Sequence, residues 1–189
     1  MNKQQFLQKF AFHHLDELSS SYQHVGDLKH ASVLIPIVDH GNELSIVLTK
    51  RASHLKHHGG QISFPGGKVE KQDIHLIDTA LRETEEEIGV NRDEIKIVGQ
   101  LKPYHTITGF HITPIIGFIP DNYNFVIDQN EVAEVFYVPF SHFFDEDNHL
   151  KVEFSRQGNK HKVYFMPYLN YNIWGATAAI LKDLVQHLK

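Results

Sequence analysis

Two short stretches are the most informative about the fold of this chain, Phe64-Pro-Gly-Gly-Lys-Val-Glu70 and Arg82-Glu-Thr-Glu-Glu-Glu-Ile-Gly89. The second stretch closes the strongest helix pattern in the sequence, Ile74 to Ile88, which Gly89 ends and for which Asp73 is placed as the N-terminal cap. The consecutive glycines of the first stretch permit unusual backbone angles and a close approach of the backbone to a ligand. Together they predict a glycine loop beside an acidic helix.

Three carboxylates share one arc of that helix. At about 100° per residue, Glu83, Glu86 and Glu87 fall on one side, whereas Glu85 points away from them. Like charges three and four residues apart repel each other, and glutamates near a helix C-terminus oppose the helix dipole. Oxygen ligands on a rigid helix suit Mg²⁺ or Mn²⁺, so the arc predicts a site for one of these cations. A solvated acidic helix face is the alternative that the glutamates alone leave open.

The remaining pattern alternates helices and strands. An amphipathic helix is predicted from about Lys3 to Ser19, and Pro36 inside the first strand favours an edge position or a bulge for it. On the acidic helix, the predicted buried stripe is Ile77, Leu81, Thr84 and Ile88. Strands are predicted at 31–38, 44–49, 95–100, 112–118, 135–138, 151–154 and 162–165, and a closing helix at 174–188. This order predicts an α+β fold around a mixed sheet.

We expect a single domain over residues 1–189, in which residues 1–25 form a helical appendage. The appendage is interpreted as a packing element and as a candidate contact for a homodimer. Its first residues lack a long apolar core and a small-residue cleavage site, and no segment approaches the roughly 20 apolar residues of a membrane span. A cytoplasmic protein without a membrane partner is therefore the expectation.

Composition excludes several classes of protein. The 189 residues are 41% hydrophobic and 22% charged, which is usual for a globular chain. Without cysteine there is no disulfide framework, no thiolate metal site and no cysteine nucleophile. A net charge of −5 disfavours nucleic acid as a partner, and an anionic substrate would need a local offset such as a divalent cation. The 15 histidines have no function that the sequence alone explains.

The two opening stretches resemble the Nudix box, G-x5-E-x7-R-E-U-x-E-E-x-G-U, in which U is apolar. Thr84 replaces one apolar residue of the box, and Ile74 occupies the position of its first glutamate, with Asp73 one residue earlier. The residues that match the box are Gly67, Arg82, Glu83, Glu86, Glu87, Gly89 and Val90.

A second motif lies upstream of the box. It consists of Leu48-Thr-Lys-Arg-Ala52, Lys56, Gly60 and Phe64-Pro-Gly-Gly67. This spacing is similar to the signature of the coenzyme A pyrophosphatase branch of the Nudix family, with Lys56 in place of an arginine. An aspartate at the position of Asp73 is also familiar in that branch. Further similarity is seen at 108–110, 131–139 and 173–175, so the resemblance extends from about residue 31 to residue 181.

The resemblance implies a Nudix-type α/β/α sandwich with a metal-dependent active site. Metal ligands would be Glu83, Glu86, Glu87 and the Gly67 carbonyl, and Arg82 would orient a carboxylate; a surface ion pair is the alternative for Arg82. The general base would be Glu83, Glu131 or Glu134, and a solvated loop is the alternative for the last two. The resemblance places substrate at Arg51, Lys56, Gly66 and Phe110.

The resemblance also implies an activity. The expected substrate is a small nucleotide, coenzyme A or acyl-coenzyme A, whose pyrophosphate bond would be hydrolysed with Mg²⁺ or Mn²⁺. The products would be 4′-phosphopantetheine, or its acyl form, and adenosine 3′,5′-bisphosphate. Two alternatives stay open: hydrolysis of ADP-ribose or another nucleoside diphosphate derivative, and a non-catalytic sensor of a nucleotide ligand. The intact glutamate arc argues against the sensor, because binding alone needs no acidic metal site.

Overall fold

The structure, a computed structural model, describes residues 1–12, 28–156 and 159–189. The helices are α1 (Lys3–Phe12), α2 (Leu76–Ile88), α3 (Phe140–Phe144) and α4 (Ala176–His187). The strands are β1 (Lys29–Asp39), β2 (Leu44–Arg51), β3 (Ile62–Ser63), β4 (Gly66–Lys68), β5 (Lys96–Gln100), β6 (Tyr104–His105), β7 (Phe110–Ile119), β8 (Val132–Pro139), β9 (Leu150–Arg156) and β10 (Asn159–Phe165). No described helix is long and apolar enough to cross a membrane.

Eight strands form one mixed sheet. Its main order is β3-β2-β1-β7-β5, with β4 beside β1, β6 beside β7 and β8 beside β2. The long central strands β1 and β7 run parallel, and the other pairs in this sheet are antiparallel. Strands β9 and β10 form a separate hairpin. The predicted α+β fold around a mixed sheet is confirmed. Sequence reasoning missed α3 and the short strands β3, β4 and β6, because each has too few residues for a periodic pattern.

Helices cover both faces of the large sheet and make an α/β/α sandwich. On one face, Ala80 and Ile88 of α2 pack in one apolar cluster with Leu34 of β1 and Ile115 of β7. On the other face, α1, α3 and α4 pack against alternate residues of the same strands. That second cluster includes Phe6, Ile35, Ile37, Phe140 and Leu184. The alternation of side chains along β1 and β7 therefore decides which residues face the acidic helix.

Strand β1 is central, so the prediction of an edge strand or a bulge from Pro36 is wrong. One edge of β1 pairs with β7 along its length. The other edge pairs first with β4, at Ala31–Val33, and then with β2, at Ile37–Asp39. The N–H of Leu34 donates to Pro65 on the β4 side, and alternation points the nitrogen of Pro36 the same way. Pro36, which has no N–H to donate, therefore lies where β1 stops pairing with β4 and begins to pair with β2.

Helix α2 begins two residues later than the sequence predicts. His75, not Asp73, occupies the N-cap position, and the Asp78 carboxylate accepts the His75 N–H at 2.8 Å. Ile74 lies outside the helix and is exposed, and Ile77, which was placed on the buried stripe, is also exposed. Thr84 and Ile88 of the predicted stripe are buried, and the helix ends at Gly89 as predicted, with φ of 72°.

Helix α1 is part of the core. Its Phe6 is fully buried and its ring makes edge contacts with Phe118 of β7 and Phe140 of α3, at 5.7 Å between ring centroids in both cases. The described helix ends at Phe12, and the remainder of the predicted helix, to Ser19, lies outside the described residues. Dimerisation through this helix stays a prediction.

Truncation of Phe6 tests how much α1 contributes to stability. We expect Phe6→Ala to lower the free energy of unfolding by about 4 kcal/mol, because it leaves a cavity among aromatic rings. Leu7→Ala is the matched control, since Leu7 lies on the same helix but is 38% exposed. Urea unfolding measures both variants. Equal losses in the two would contradict the packing described for α1.

Candidate active site

Strand β4 brings the glycine loop against the acidic helix. Gly67 pairs with Ser32 of β1, and a Cβ atom built on Gly67 would lie 2.4 Å from the Glu83 carboxyl carbon. Only glycine leaves room there for the carboxylate. At the neighbouring Gly66, φ is 151° and a Cβ would lie 2.5 Å from the Ser32 carbonyl oxygen. The two glycines therefore permit β4 to pack closely on β1 and the Glu83 carboxylate to lie against the backbone of β4.

Glu87 is a buried carboxylate with little compensation. Its side chain is 3% exposed, and it accepts the Gly66 N–H at 3.2 Å and a long contact of 3.4 Å from Arg51. Burial raises the pKa of Glu87 to about 8, against the opposing effect of Arg51. Burial also raises the pKa of Glu83. Both carboxylates would gain from a cation placed between them and the loop.

Arg82 connects the acidic helix to the loop. Its side chain is 8% exposed, and its guanidinium donates to Asp73 through Nε and Nη2, both at 3.0 Å. The same group donates to the Lys68 carbonyl at 3.1 Å, to Glu83 at 2.9 Å and to Glu86 at 3.1 Å. This network orients two of the three glutamates of the arc and ties them to β4.

Asp73 is the anchor of this network rather than the helix cap that the sequence predicted. It binds Arg82 and also accepts the Thr79 hydroxyl at 2.9 Å and the Glu70 N–H at 2.8 Å. The Arg82 hydrogen bonds hold the pKa of the Asp73 carboxyl well below its usual range. The same contacts with Asp73 raise the pKa of Arg82. Asp73 therefore stays charged throughout the physiological pH range.

The donor set of this site fits a hard divalent cation. Glu83, Glu86 and Glu87 offer carboxylate oxygens, Gly67 offers a backbone carbonyl, and burial raises the pKa values of the two more buried glutamates, Glu83 and Glu87. Arg82 lies between Glu83 and Glu86, and within the described ranges no three or more histidine or acidic side chains are placed so that they could hold a metal ion. Glu85 lies apart, as the helix periodicity predicts, and pairs with Arg92.

The two later glutamates that sequence reasoning left as equal candidates differ in surroundings. Glu131 is half exposed, and its carboxylate lies 4.0 Å from Arg51. Arg51 also contacts Glu87, so Glu131 lies on the side of the acidic cluster, the name used here for Glu83, Glu86 and Glu87. Glu134 instead accepts a short hydrogen bond from the hydroxyl of Tyr171. The Tyr171 ring stacks on Phe136, at 3.7 Å between centroids. Sequence reasoning missed Tyr171, since only tertiary contact joins it to Glu134.

The remaining predicted substrate residues lie around the glycine loop. Arg51 ends β2 and reaches the acidic cluster, whereas Lys56 is exposed on the following turn and has no ion pair among the contacts of the described chain. Phe110 begins β7 and is half-buried. The centroid of its ring lies 6.0 Å from the ammonium of Lys29 and 5.9 Å from the ammonium of Lys68. The roles of these residues stay predictions.

Comparison with known proteins now decides the family. The sequence model of the NUDIX domain matches residues 28–159, which is more than half of the chain. The chain belongs to the Nudix family. This Nudix hydrolase is 43% identical, over 159 residues, to a protein of Yersinia enterocolitica named as the uncharacterized Nudix hydrolase NudL. The match covers 84% of this chain and 81% of the relative. The predicted recognition of the family and the prediction of an enzyme are confirmed.

Solved structures support the same fold at low sequence identity. The Nudix hydrolase RenU of M. smegmatis gives a TM-score of 0.52 at 18% identity, covering 66% of this chain and 79% of that one. A Nudix hydrolase of Alicyclobacillus acidocaldarius gives 0.51 at 16% identity, covering 86% and 93%. Nudix hydrolases use divalent metal ions and act on small nucleotide derivatives. The acidic helix and glycine loop of this Nudix hydrolase are consistent with such chemistry.

Replacement of Asp73 by asparagine tests the anchor. We expect Asp73→Asn to lower the free energy of unfolding by about 3 kcal/mol at pH 7, because Arg82 loses its buried charged partner. Since the pKa of Asp73 is lowered by folding, its contribution is complete above the unfolded value of about 3.9 and is lost as pH falls below it. The difference between wild type and variant should therefore shrink below about pH 4.

Urea unfolding at pH 7, 4 and 3 measures this difference in the absence of metal. Asp93→Asn is the control, because Asp93 is exposed in the short 3-10 helix Arg92–Glu94 and makes no ion pair with Arg82 among the described contacts. A difference between wild type and Asp73→Asn that stays constant across this pH range would contradict the charged pair.

Proposed function

We propose that this Nudix hydrolase cleaves the pyrophosphate bond of coenzyme A or acyl-coenzyme A with Mg²⁺ or Mn²⁺. The products would be 4′-phosphopantetheine, or its acyl form, and adenosine 3′,5′-bisphosphate. One observation carries the proposal. Arg51 of the upstream motif, which resembles the coenzyme A branch, contacts Glu87 of the box at 3.4 Å. This contact supports the proposal that residues of the two motifs act in one site.

The path of the chain between the motifs supports this reading. The Arg51 N–H donates to the Gln61 carbonyl at 2.9 Å, and the Gly60 N–H donates to the Arg51 carbonyl at 3.1 Å. These bonds close the segment 52–60 into a loop based at Arg51, with Lys56 exposed on it. Arg51 would bind a phosphate through two hydrogen bonds, and Lys56 would attract it as a point charge. The rest of the chain carries net negative charge.

The acidic cluster supplies the other half of the chemistry. Glu83, Glu86, Glu87 and the Gly67 carbonyl would hold the cation, which when bound draws charge from the pyrophosphate oxygens and acidifies water. Arg82 keeps Glu83 and Glu86 in place through hydrogen bonds of 2.9 and 3.1 Å. Arg51 now lies against Glu87, and a bound cation there would free its guanidinium to receive a phosphate.

For the general base, the surroundings favour Glu131 over Glu134. The charge of Glu131 acts on both Glu83 and Glu87 and helps to raise the pKa of each, so it lies close to the acidic cluster. Its half-exposed side chain can receive a proton from water. Glu134 is engaged by Tyr171 and would have to break that hydrogen bond first. Glu83 remains the alternative base within the box.

Matched glutamine variants separate these two carboxylates. We expect Glu131→Gln to lower kcat by at least about 100-fold, the usual contribution of a general base, with little change in KM. Glu134→Gln, at a position engaged by a tyrosine, should lower kcat less than tenfold. Steady-state kinetics at saturating Mg²⁺ measures both. A normal rate in Glu131→Gln would assign the base to Glu83 or Glu134.

A substrate panel tests the proposed activity. Coenzyme A, acetyl-coenzyme A, ADP-ribose and diadenosine tetraphosphate are incubated with Mg²⁺ or Mn²⁺ in ¹⁸O-water, and the products are identified by mass. We expect adenosine 3′,5′-bisphosphate and phosphopantetheine, with one of the two carrying a single heavy oxygen. Cleavage of ADP-ribose with coenzyme A untouched would overturn the substrate assignment, and nucleotide binding without any cleavage would favour the sensor.

A further inference from the structure

Three histidines lie side by side on three adjacent strands. His111 of β7 is the register partner of His30 on β1 and of His105 on β6. The ring centroid of His111 lies 5.0 Å from that of His30 and 4.7 Å from that of His105. We call His30, His105 and His111 the histidine row. His30 is exposed and the other two are half-buried, so ring nitrogens of the row are open to a ligand.

The histidine row lies on the same face of the sheet as the acidic helix. Alternation along β1 puts His30, Ser32 and Leu34 on one face, and Leu34 packs with α2. Ser32 is the register partner of Gly67, which lies against the Glu83 carboxylate. Ser32 follows His30 by two positions along the strand, a distance of about 7 Å. The row therefore flanks the glycine loop on the side away from Arg51.

Nearby charges leave the histidine row open to an anion. The pKa of His111 is lowered by burial and by the two neighbouring histidines, and no carboxylate is among the causes. The acidic side chains of the adjoining segment are already engaged, Glu70 by Gln72 and Asp73 by Arg82. Within the described ranges the row is not arranged to hold a metal ion. The imidazole of His111, for which no carboxylate is among the groups that shift its pKa, therefore suits an anionic oxygen ligand.

We propose that the histidine row binds a phosphate monoester, and that on the proposed substrate this is the 3′-phosphate of the nucleotide. The inference rests on the proposed function for the identity of that phosphate only. A ribose ring separates the 3′-phosphate from the 5′-pyrophosphate. The distance between these two groups is of the same order as the distance between His30 and the Gly67 loop. The row would then distinguish coenzyme A from nucleotides that lack the 3′-phosphate.

Direct binding without metal tests the row. Calorimetry in EDTA compares adenosine 3′,5′-bisphosphate with adenosine 5′-monophosphate in wild type, His111→Gln and His105→Gln. We expect each variant to weaken bisphosphate binding about tenfold, through loss of a charge-assisted hydrogen bond, and to leave monophosphate binding unchanged. His40→Gln is the control, because His40 follows the opposite end of β1 and pairs with Asp121.

The outcomes separate the inference from the proposed function. Equal weakening of both nucleotides, or unchanged bisphosphate binding in both folded variants, would overturn the role of the histidine row. Competition by inorganic phosphate in wild type, lost in His111→Gln, would support a site for a free phosphate group as well. If coenzyme A is also a substrate, His111→Gln should raise its KM about tenfold and leave that of dephospho-coenzyme A unchanged. Failure of coenzyme A hydrolysis would overturn the proposed function and leave the binding result standing.

Discussion

The buried guanidinium of Arg82 is the contact on which the rest of the site depends. It joins four partners that come from different parts of the chain: Asp73 before α2, the Lys68 carbonyl on β4, and Glu83 and Glu86 on α2 itself. A buried arginine is tolerated only with charged and hydrogen-bonded partners around it. The requirements of Arg82 thus place the glycine loop and the acidic helix in one fixed relation.

Around this contact lie carboxylates whose charged forms are disfavoured by burial. Glu83 and Glu87 are largely withdrawn from water and have raised pKa values, while Glu131 adds a third carboxylate on the open side. Such an arrangement lowers the stability of the metal-free chain, since burial penalises the charged forms. A divalent cation bound between these carboxylates would offset that penalty. The family's use of divalent ions is consistent with this arrangement.

Local periodicity explains what could be predicted from the sequence. The arc of three glutamates, the exclusion of Glu85 and the stop at Gly89 all follow from the geometry of one helix, and the alternation of strands and helices gave the fold class. Tertiary partners explain what could not be predicted. Asp73 has the position and chemistry of a helix cap, but a residue nine positions later in the chain, Arg82, engages it instead. Ile77 fits the apolar stripe but is exposed in the first turn of α2.

Register between strands is a further property that a single sequence does not reveal. His30, His105 and His111 look unrelated along the chain and meet only because β1, β6 and β7 pair as they do. The partner of Glu134, Tyr171, is likewise distant in sequence.

The change of partner along β1 has a mechanical consequence. Pro36 offers no N–H, and the hydrogen-bond ladder along that edge of β1 is interrupted there. Before the interruption β1 pairs with β4, and after it β1 pairs with β2. A small movement of β4 and its glycines need not break any bond between β1 and β2. Strand β4, which lies against the Glu83 carboxylate, is thereby uncoupled from the antiparallel pairing of β1 with β2.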